Sequence, residues 1–361
     1  MKVKIGDLTK IKTGKLDANA SSEDGQYPFF TCSREPLKIS TYSYDCECVL
    51  VAGNGDLNVK YYNGKFDAYQ RTYIIEDNDS GKLFMPYLYY FMEGYIEELR
   101  KQAIGGVIKY IKLGNLTDAL IELPSVDEQK AIVDILEKSK KVLDMRHEEI
   151  SKLDDLIKAR FVELFGDSRS NPFGFEKKML KDTCKVITGN TPSRAIAEYY
   201  GDYIEWIKTD NIVSGILNPT QAIESLSEKG MNVGRTVEKD SILMACIAGS
   251  IASIGRVCIT DRTVAFNQQI NAVVPEQYNI LFLYVLLQMS KDYLVEDINM
   301  ALKGILSKSK LEEKEFIIPP MDLQEQFSDF VKQVDKSKVA VQKALDETQL
   351  LFNSLMQEYF G

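Results

Sequence analysis

The sequence is poor in histidine and lacks several motifs on which enzyme active sites depend. Its 361 residues include a single histidine, His147, which falls in a predicted long helix at a solvent-facing position and argues against Ser-His-Asp or Cys-His catalysis. The ATP-binding motif GxxxxGK[ST] is absent, because every Gly-Lys pair is followed by Leu or Phe. We therefore predict that this chain has no catalytic site of its own.

Signatures of cofactors and metals are missing as well. No glycine-rich stretch forms GxGxxG between a strand and a helix, and Asn171-Pro172-Phe173 lacks the second proline of the Asn-Pro-Pro-aromatic motif of adenine methyltransferases. The six cysteines contain no CxxC pair. The closest two, Cys46 and Cys48, are expected on opposite faces of a strand, which would not suit zinc. We assign no cofactor and no metal ion to the chain.

Long apolar runs are also absent. The longest, residues 281–289, is far shorter than the roughly 18–20 residues that cross a bilayer. The N-terminus has no apolar segment after its lysines, unlike a signal peptide. We therefore expect a cytoplasmic protein without a membrane partner.

The net charge of −9 argues at first against a nucleic-acid partner. Residues 126–166 carry ten acidic and eight basic residues, and residues 321–361 carry seven and four, so these segments hold five of the nine excess negative charges. The rest of the chain is close to neutral, and phosphate contacts depend on local lysine and arginine. The overall charge does not exclude DNA.

The feature that organises the chain is an internal repeat. Short landmarks recur in the same order in both halves, at offsets between roughly 175 and 198 residues. The matched segments are 11–14 with 186–189, 68–71 with 266–269, 86–92 with 281–287, 121–124 with 316–319, 127–129 with 324–326, 138–140 with 336–338 and 162–166 with 357–361. Each match is weak alone, but the shared order indicates one unit present twice.

Each repeat ends in a long helix with a coiled-coil pattern. A proline closes the last strand of a mixed region, and the helix begins at an acidic turn. Apolar residues then follow in alternating steps of three and four for about five heptads. The seam positions are Ile132, Leu136, Ser139, Leu143, Arg146, Ile150, Leu153, Ile157 and Leu164 in the first helix, and Phe327, Phe330, Val334, Ser337, Val341, Leu345, Thr348, Phe352, Leu355 and Tyr359 in the second.

A helix of this kind, roughly 55–60 Å long, cannot bury its apolar stripe alone. We expect the two to pair antiparallel with one mixed domain at each end; the alternative is that each helix packs on its own domain. The predicted fold is α+β. Two pseudo-repeated globular α/β domains, residues 1–125 and 167–320, are separated by two long antiparallel coiled-coil helices, residues 126–166 and 321–361, in a dumbbell.

With catalysis absent, the mixed regions are interpreted as recognition modules whose loops contact DNA. Amide side chains can bond adenine with two hydrogen bonds, and arginine can bond guanine in the same way. In the alternative interpretation, such loop residues form turns and helix caps. The candidates are Thr13, Lys15, Ser33, Arg34, Asn54, Asn58, Gln70 and Arg71 in the first region, and Asn190, Thr191, Arg194, Lys208, Thr209, Asn211, Arg256, Gln268 and Gln269 in the second.

The ordered motifs resemble the specificity subunits of type I restriction–modification systems over the whole chain. Singly they are loose, but their duplicated order is specific. They are IKTG at 11–14, ITGNTPS at 187–193, WIK at 206–208, NQQIN at 267–271, Pro124 before EQ at 128–129, PP at 319–320 before EQ at 325–326, and LFG at 164–166. The first region departs from the pattern, since it lacks the fuller TGNTPS form and the tryptophan block.

The resemblance implies that the mixed regions are target-recognition domains, similar to those of adenine-N6 methyltransferases. It implies double-stranded DNA as a partner, two methylation subunits docked on the long helices, and restriction/translocase subunits joining that assembly. S-adenosylmethionine, ATP and magnesium would belong to those partner subunits. Such a complex methylates adenines in a split target and cuts remote DNA when the site is unmethylated.

Two modules on a rigid spacer would recognise two half-sites with an unread gap between them, about one DNA turn or roughly 34 Å apart. Two rivals stay open. One is a non-enzymatic scaffold that presents two protein- or carbohydrate-binding modules on a helical spacer. The other is a free-standing methyltransferase, against which the missing cofactor loop counts.

Overall fold

The computed structural model of the chain describes residues 2–296, 298 and 304–361. It divides into two compact units. Unit 1 combines residues 1–147 with residues 343–361, and unit 2 comprises residues 148–342. Both units contain sheets and helices, so the α+β class predicted from the sequence is confirmed.

Unit 1 is built on a six-stranded sheet with the strand order β2-β7-β5-β6-β3-β4, and a separate ladder pairs β1 with β8. Its pairs are antiparallel except for β3 and β6, which run parallel. The strands are β1 (Lys2–Lys4), β2 (Thr9–Thr13), β3 (Tyr27–Phe30), β4 (Leu37–Ile39), β5 (Tyr44–Ala52), β6 (Val59–Ala68), β7 (Thr72–Asp77) and β8 (Leu120–Glu122).

The helices of unit 1 cover one face of this sheet. They are α1 (Ile5–Leu8), α2 (Met85–Gln102), α3 (Leu113–Thr117) and the first part of α4 (Val126–Phe165). The last part of α9 (Met321–Phe360) also belongs to unit 1. Helix α2 starts with a proline in its first turn, where the missing N–H costs no hydrogen bond. Its buried side chains share one core with Val49, Val51 and Ile75 of the sheet.

Unit 2 holds two stacked sheets and a short ladder of β9 with β19. The first sheet has the order β10-β18-β15-β16, and the second has the order β11-β13-β12-β17-β14. The strands are β9 (Glu176–Met179), β10 (Cys184–Thr188), β11 (Tyr200–Gly201), β12 (Ile204–Ile207), β13 (Ser225–Leu226), β14 (Thr236–Val237), β15 (Ile242–Ala245), β16 (Val257–Ile259), β17 (Val264–Phe266), β18 (Ile270–Pro275) and β19 (Glu315–Ile318).

The alternation of side chains along β15 explains the layers of unit 2. Ile242 and Met244 point into the core that contains the helices, whereas Leu243 and Ala245 point into the core against the second sheet. A strand buried on both faces is continuously apolar, as β15 is. The helices of this unit are α5 (Glu228–Val233), α6 (Ile280–Met289), α7 (Lys291–Val295), α8 (Lys308–Glu312) and the first part of α9 (Met321–Phe360).

The internal repeat is present in the hydrogen bonds as well as in the sequence. The N–H of Gly14 donates to Thr72 O at 3.0 Å, and the N–H of Gly189 donates to Ile270 O at the same distance. Each glycine follows the first strand of its sheet. The parallel pair β3–β6 in unit 1 has its counterpart in the parallel pair β12–β17 of unit 2. The order β2-β7-β5 of unit 1 thus recurs as β10-β18-β15 in unit 2, and the parallel pair recurs beside it.

The start of each long helix is attached to its unit by a fully buried glutamine. The side-chain oxygen of Gln129 accepts from the N–H of Phe84 at 2.8 Å, and its amide donates to Pro124 O at 3.0 Å. Gln324 accepts from the N–H of Asn279 at 2.9 Å and donates to Pro319 O at 2.8 Å. Gln129 thus corresponds to Gln324, and the predicted match of 127–129 with 324–326 was wrong by two residues.

Within unit 2 the two long helices pack antiparallel. The rings of Phe161 and Phe327 lie 5.6 Å apart, and Asp154 pairs with Lys338 at 2.6 Å, so residue numbers rise along one helix as they fall along the other. The coiled-coil pattern is typical of such pairing. One predicted seam residue is wrong: Ser337 is exposed, and the neighbouring Lys338 turns inward to meet Asp154.

In each unit, the C-terminal end of a long helix packs against the unit through an equivalent aromatic contact. In unit 2, Phe165 lies 4.8 Å from Phe282 of α6. In unit 1, Phe360 lies 5.1 Å from Tyr87 of α2. Phe165 and Phe360 are 195 positions apart in the sequence, as are Tyr87 and Phe282. The matched segments 86–92 and 281–287 therefore occupy corresponding places in the two cores. Unit 1 thus uses the end of α9 where unit 2 uses the end of α4.

The thiols are reduced, and four of the six are buried. Cys46 and Cys48 lie on the same face of β5, toward one hydrophobic cluster, because residues two apart in a strand share a face. Their predicted placement on opposite faces was wrong. In the described part of the chain, no group of three or more His, Cys, Asp or Glu side chains is arranged to hold a metal ion.

Candidate nucleic-acid interface

Three loops of unit 2 meet at one edge of its sheets. They follow β10, follow β12 and connect β17 to β18. The N–H of Asn190 donates to Phe266 O at 3.2 Å, and the N–H of Asn267 donates to Ile207 O at 3.0 Å. These bonds are possible because β12 runs parallel to β17 and β10 pairs with β18. We call this set, residues 189–194, 208–211 and 267–269, the unit 2 loop cluster.

Gly189 allows the close approach of these loops. A Cβ atom at this position would lie 2.1 Å from Asn267 O and 2.5 Å from Phe266 O, so a larger residue would push the loops apart. Gly14 has the same surroundings in unit 1, with Ala68 O at 2.2 Å from such an atom and Tyr69 O at 2.4 Å. The glycine of the matched motifs 11–14 and 186–189 is therefore a packing requirement of the site.

Two predicted contact residues share one carboxylate in the unit 2 loop cluster. Arg194 pairs with Glu224 at 2.8 Å, and Lys208 pairs with the other oxygen of Glu224. Lys208 foremost, and Arg194 with it, hold the pKa of Glu224 below its ordinary value. The Arg194 guanidinium lies 5.4 Å from the Trp206 ring centre and the Lys208 ammonium 5.1 Å, within the range of cation–π attraction.

Two other predicted residues of this cluster are joined to each other. The hydroxyl of Thr191 donates to the side-chain oxygen of Gln268, which leaves the Gln268 amide group available, and both residues are exposed. Asn190 instead donates to Val233 O at 2.9 Å, and its backbone oxygen accepts from the Trp206 indole at 3.3 Å. Thr191 and Gln268 face solvent, whereas Asn190 helps to build the loop.

Asn211 and Gln269 also stabilise loops. The Asn211 oxygen accepts from the N–H of Lys208 at 3.0 Å, and its amide donates to Gln221 O at 3.1 Å. The Gln269 oxygen accepts from Asn267 at 3.1 Å. Thr209 lies in the same turn as Asn211. For Asn211 and Gln269 the structure supports the alternative interpretation, in which loop amides form turns.

Arg256 lies apart from the unit 2 loop cluster. Its guanidinium donates to Ser253 O at 3.2 Å, and the residue lines a cavity of about 790 Å³ together with Ile150, Tyr284 and Val331. These neighbours belong to the long helices and to α6. The structure therefore does not bring Arg256 together with Arg194, Lys208 and Gln268.

A corresponding cluster lies in unit 1 around Gly14. Four predicted residues are exposed here. Thr13 ends β2, Lys15 lies on the loop that follows, and Gln70 and Arg71 lie between β6 and β7. The N–H of Lys15 donates to Ala68 O at 3.2 Å, as Asn190 does to Phe266 in unit 2. The Gln70 amide donates to Asp17 at 2.9 Å. We call residues 13–15 and 69–71 the unit 1 loop cluster.

The remaining predicted residues of unit 1 surround Asp56. Arg34 pairs with this carboxylate at 3.1 Å, and Arg100 of α2 pairs with its second oxygen at 3.1 Å. The two arginines, Arg34 foremost, lower the pKa of Asp56. Asn58 donates to Cys32 O at 2.9 Å and so holds two loops together, and Ser33 hydrogen-bonds Thr31 at 2.5 Å.

Sequence patterns missed the acidic partners and one cation. Glu224 and Asp56 form ion pairs with predicted contact residues, and Arg100 pairs with Asp56, but none of the three lies in a repeated motif. These ion pairs join residues that are 16 to 44 positions apart. They leave no local sequence pattern, so only the folded chain brings the partners together. Asn54 is connected across an isolated bridge to Tyr110, another contact without a sequence signal.

The duplicated strand and loop arrangement coincides with a known family. The family model for the type I restriction modification DNA specificity domain matches residues 1–154 and 172–348. The chain belongs to this family. The two matched stretches contain the unit 1 and unit 2 loop clusters respectively.

Curated relatives carry corresponding names. The type I restriction enzyme EcoDI specificity subunit of Escherichia coli is 44% identical over 135 residues, 37% of this chain and 30% of the relative. The HindI specificity subunit of Haemophilus influenzae is 34% identical over 120 residues, 32% of this chain and 25% of the relative. The MjaIX specificity subunit of Methanocaldococcus jannaschii is 25% identical over 284 residues, 72% of this chain and 64% of the relative. The chain thus aligns with less than two thirds of the length of each.

Solved structures share the fold over the whole chain. The S subunit of the type I restriction-modification system from M. genitalium superposes with a TM-score of 0.64 at 17% identity, covering 100% of this chain and 96% of that one. A chain from a structural study of complex assembly and conformational transition of the type I R-M system superposes with a TM-score of 0.60 at 16% identity. The superposition covers 100% of this chain and 97% of that one. Because both sequence identities are this low, the superpositions show a shared fold and do not by themselves assign a function.

Proposed function

We propose that the chain is the DNA-recognition subunit of a type I restriction–modification complex and binds a bipartite target, one half-site for each unit. The observation that carries the proposal is the duplicated glycine-centred loop cluster, which lies in both stretches matched by the DNA specificity family. Exposed cations and amides surround each cluster, and these groups bind phosphates and base edges. The loops differ between the units, so the two half-sites differ in sequence.

In this proposal residues 1–125 and 167–320 are the target-recognition domains, and the helices of residues 126–166 and 321–361 dock two methylation subunits. Apolar side chains that are exposed on the long helices support the docking role. Met145, Val339, Leu350 and Leu351 are each more than half exposed, and a docked subunit that covered them would gain free energy from their burial.

The chemistry of the complex then resides on other chains. S-adenosylmethionine would belong to the methylation subunits, and ATP and magnesium to the restriction/translocase subunits. We place the assembly in the cytoplasm. Among the helices of the described residues, none combines the length and the apolar character that a membrane span requires.

Sequencing of methylated adenines in the host genome tests the function. We expect a bipartite motif that is methylated in the parent strain and unmethylated in a strain from which this chain is deleted. A deletion strain with an unchanged pattern of methylated adenines would contradict the proposal.

Gel-shift assays separate this function from the scaffold alternative. The full chain, alone and with its methylation subunits, is titrated against a pool of random duplexes. DNA recognition predicts that the assembled complex retains a subset of sequences. A scaffold for proteins or carbohydrates predicts no retention, and the acidic charge of −9 makes non-specific retention weak.

A further inference from the structure

A short hairpin projects from unit 1 beside the ion pairs of Asp56. Ile104 and Tyr110 exchange two backbone hydrogen bonds of 3.0 and 2.8 Å, which close the hairpin. Two branched apolar residues form its tip: Val107 is fully exposed, and Ile108 is 63% exposed. Such side chains gain free energy when an apolar surface covers them, and nothing in the described part of the chain covers these two.

The tip is a defined structure with its own steric constraints. Gly105 has a φ of +120°, and a Cβ atom there would lie 2.6 Å from Ile108 O. Only glycine tolerates this backbone and this approach. In this conformation the hairpin presents Val107 and Ile108 away from the core.

The base of the hairpin is bonded to the loop that carries Asn54. The N–H of Ile111 donates to Gly53 O at 2.9 Å, and the N–H of Gly55 donates to Lys109 O at 3.0 Å. This loop continues to Asp56, which pairs with Arg34 and Arg100. The hairpin is thus bonded to a loop that carries one predicted DNA contact, Asn54, and that leads to the partner of another, Arg34.

Charge complementarity favours a polyanion over a protein as the occupant. Residues 99–117 include four basic residues and no acidic residue. Arg100 and Lys101 are paired with nearby carboxylates, so the positive charge offered at the tip is that of Lys109 and Lys112. Both lysines follow the tip in the chain and are exposed. Apolar side chains at a cationic tip can enter a DNA groove and contact base edges while the lysines contact phosphates.

We propose that the hairpin tip, residues 105–108, inserts into a groove of duplex DNA, where Val107 and Ile108 make apolar contacts with the base edges of the half-site bound by unit 1. Lys109 contacts the adjacent phosphate. The inference rests on the proposed DNA-recognition function and adds to it a contact that is apolar and does not depend on salt.

The test compares four variants of the full chain, assembled with its methylation subunits, on a duplex selected by the wild type and on a random duplex. Val107→Ser with Ile108→Ser removes the apolar surface. Lys109→Ala removes the phosphate contact, and Phe173→Ser, at a residue 57% exposed elsewhere, is the matched control. Affinity is measured as a function of KCl concentration.

The serine double variant is expected to lose about tenfold in affinity for the selected duplex, with an unchanged salt slope and a smaller preference over random DNA. Lys109→Ala is expected to lower the slope of log affinity against log salt by about 0.9 on both duplexes. Phe173→Ser behaves as wild type. Gly105→Ala, which keeps both apolar side chains but distorts the tip, is expected to lose affinity as the double variant does.

Wild-type affinity in the serine double variant would overturn the inference while leaving the proposed function intact. Loss of subunit assembly with unchanged DNA affinity would also overturn it and assign the tip to a protein contact. If the wild-type complex itself retains no duplex, the proposed function fails, and the inference fails with it.

Discussion

Glu224 neutralises two cations that the proposed interface offers to DNA. Phosphates must compete with this carboxylate for Arg194 and Lys208. Glu224→Gln should therefore raise the affinity for duplex DNA about two- to fivefold, in line with the small energies of exposed ion pairs. The control is Glu228→Gln, which makes the same charge change at an exposed residue nearby. Equal affinities in fluorescence anisotropy for the two variants would exclude a specific role of Glu224.

Gln268 belongs to the unit 2 loop cluster, whereas Arg256 lines a cavity, so substitutions at the two positions should have different effects. Gln268 is exposed and bonded to Thr191, so Gln268→Ala should change the base preference in one half of the methylated motif only. Arg256 lies beside the long helices, so Arg256→Ala should leave both halves unchanged. Methylated-adenine sequencing of strains with each variant measures both outcomes. A change in both halves with Gln268→Ala would refute the assignment.

The glutamines at the starts of the long helices determine how each helix joins its unit. Gln129 makes three hydrogen bonds with backbone groups, to Phe84, Lys82 and Pro124. Gln129→Met leaves buried backbone groups unpaired, and we expect it to lower the free energy of unfolding by about 2–3 kcal/mol. Its exposed neighbour provides the control, since Lys130→Met should change stability by less than about 0.5 kcal/mol. Chemical denaturation measures both; similar values would contradict the assigned role.

We expect Asp335 to make the stability of unit 2 dependent on pH. Burial raises the pKa of Asp335, while Lys338 opposes this effect. Because the folded state favours the protonated carboxyl group, the free energy of unfolding is greatest below pH 3.8, the ordinary pKa of aspartate. It falls as the pH rises through the raised pKa of the folded state. Asp335→Asn should therefore raise the midpoint of thermal unfolding at pH 7 and leave it nearly unchanged at pH 3. A lower midpoint at pH 7 would show that the charge is stabilising.

At the scale of the whole molecule, the distribution of charge matters more than its sum. Exposed cations lie near the loop clusters and the hairpin of a chain whose net charge is −9. If about six of them contact phosphates, affinity for the selected duplex should fall roughly 10³-fold between 50 and 200 mM salt. Titration of the assembled complex at several KCl concentrations measures this slope. A flat dependence would argue against an interface of this kind.

Much of the fold could be predicted because it depends on periodic or repeated patterns. The long helices followed from steps of three and four, and the structure has them at Val126–Phe165 and Met321–Phe360. Errors occurred where a pattern had to be placed to within one or two residues. Ser337 was predicted at the seam in place of Lys338, because an apolar pattern does not anticipate an inward lysine that finds Asp154.

The candidate site could be predicted less completely. Polar residue types in loops indicated Thr191, Lys208 and Gln268, and the structure brings these loops together. The same types also indicated Asn211, whose side chain is used in a turn, and Arg256, which lies elsewhere. A loop asparagine looks the same in sequence whether it faces solvent or bonds its own backbone, so its role depends on the neighbours that the fold supplies.

The sequence alone determined the duplicated unit, the α+β class and the two long helices, because these follow from local periodicity and from repetition along the chain. Only the tertiary structure decided that Glu224 pairs with both Arg194 and Lys208, that Gln129 corresponds to Gln324, and that Val107 projects beside the Asp56 ion pairs. Those relations join residues far apart in the chain, and their free energies depend on distances that exist only after folding.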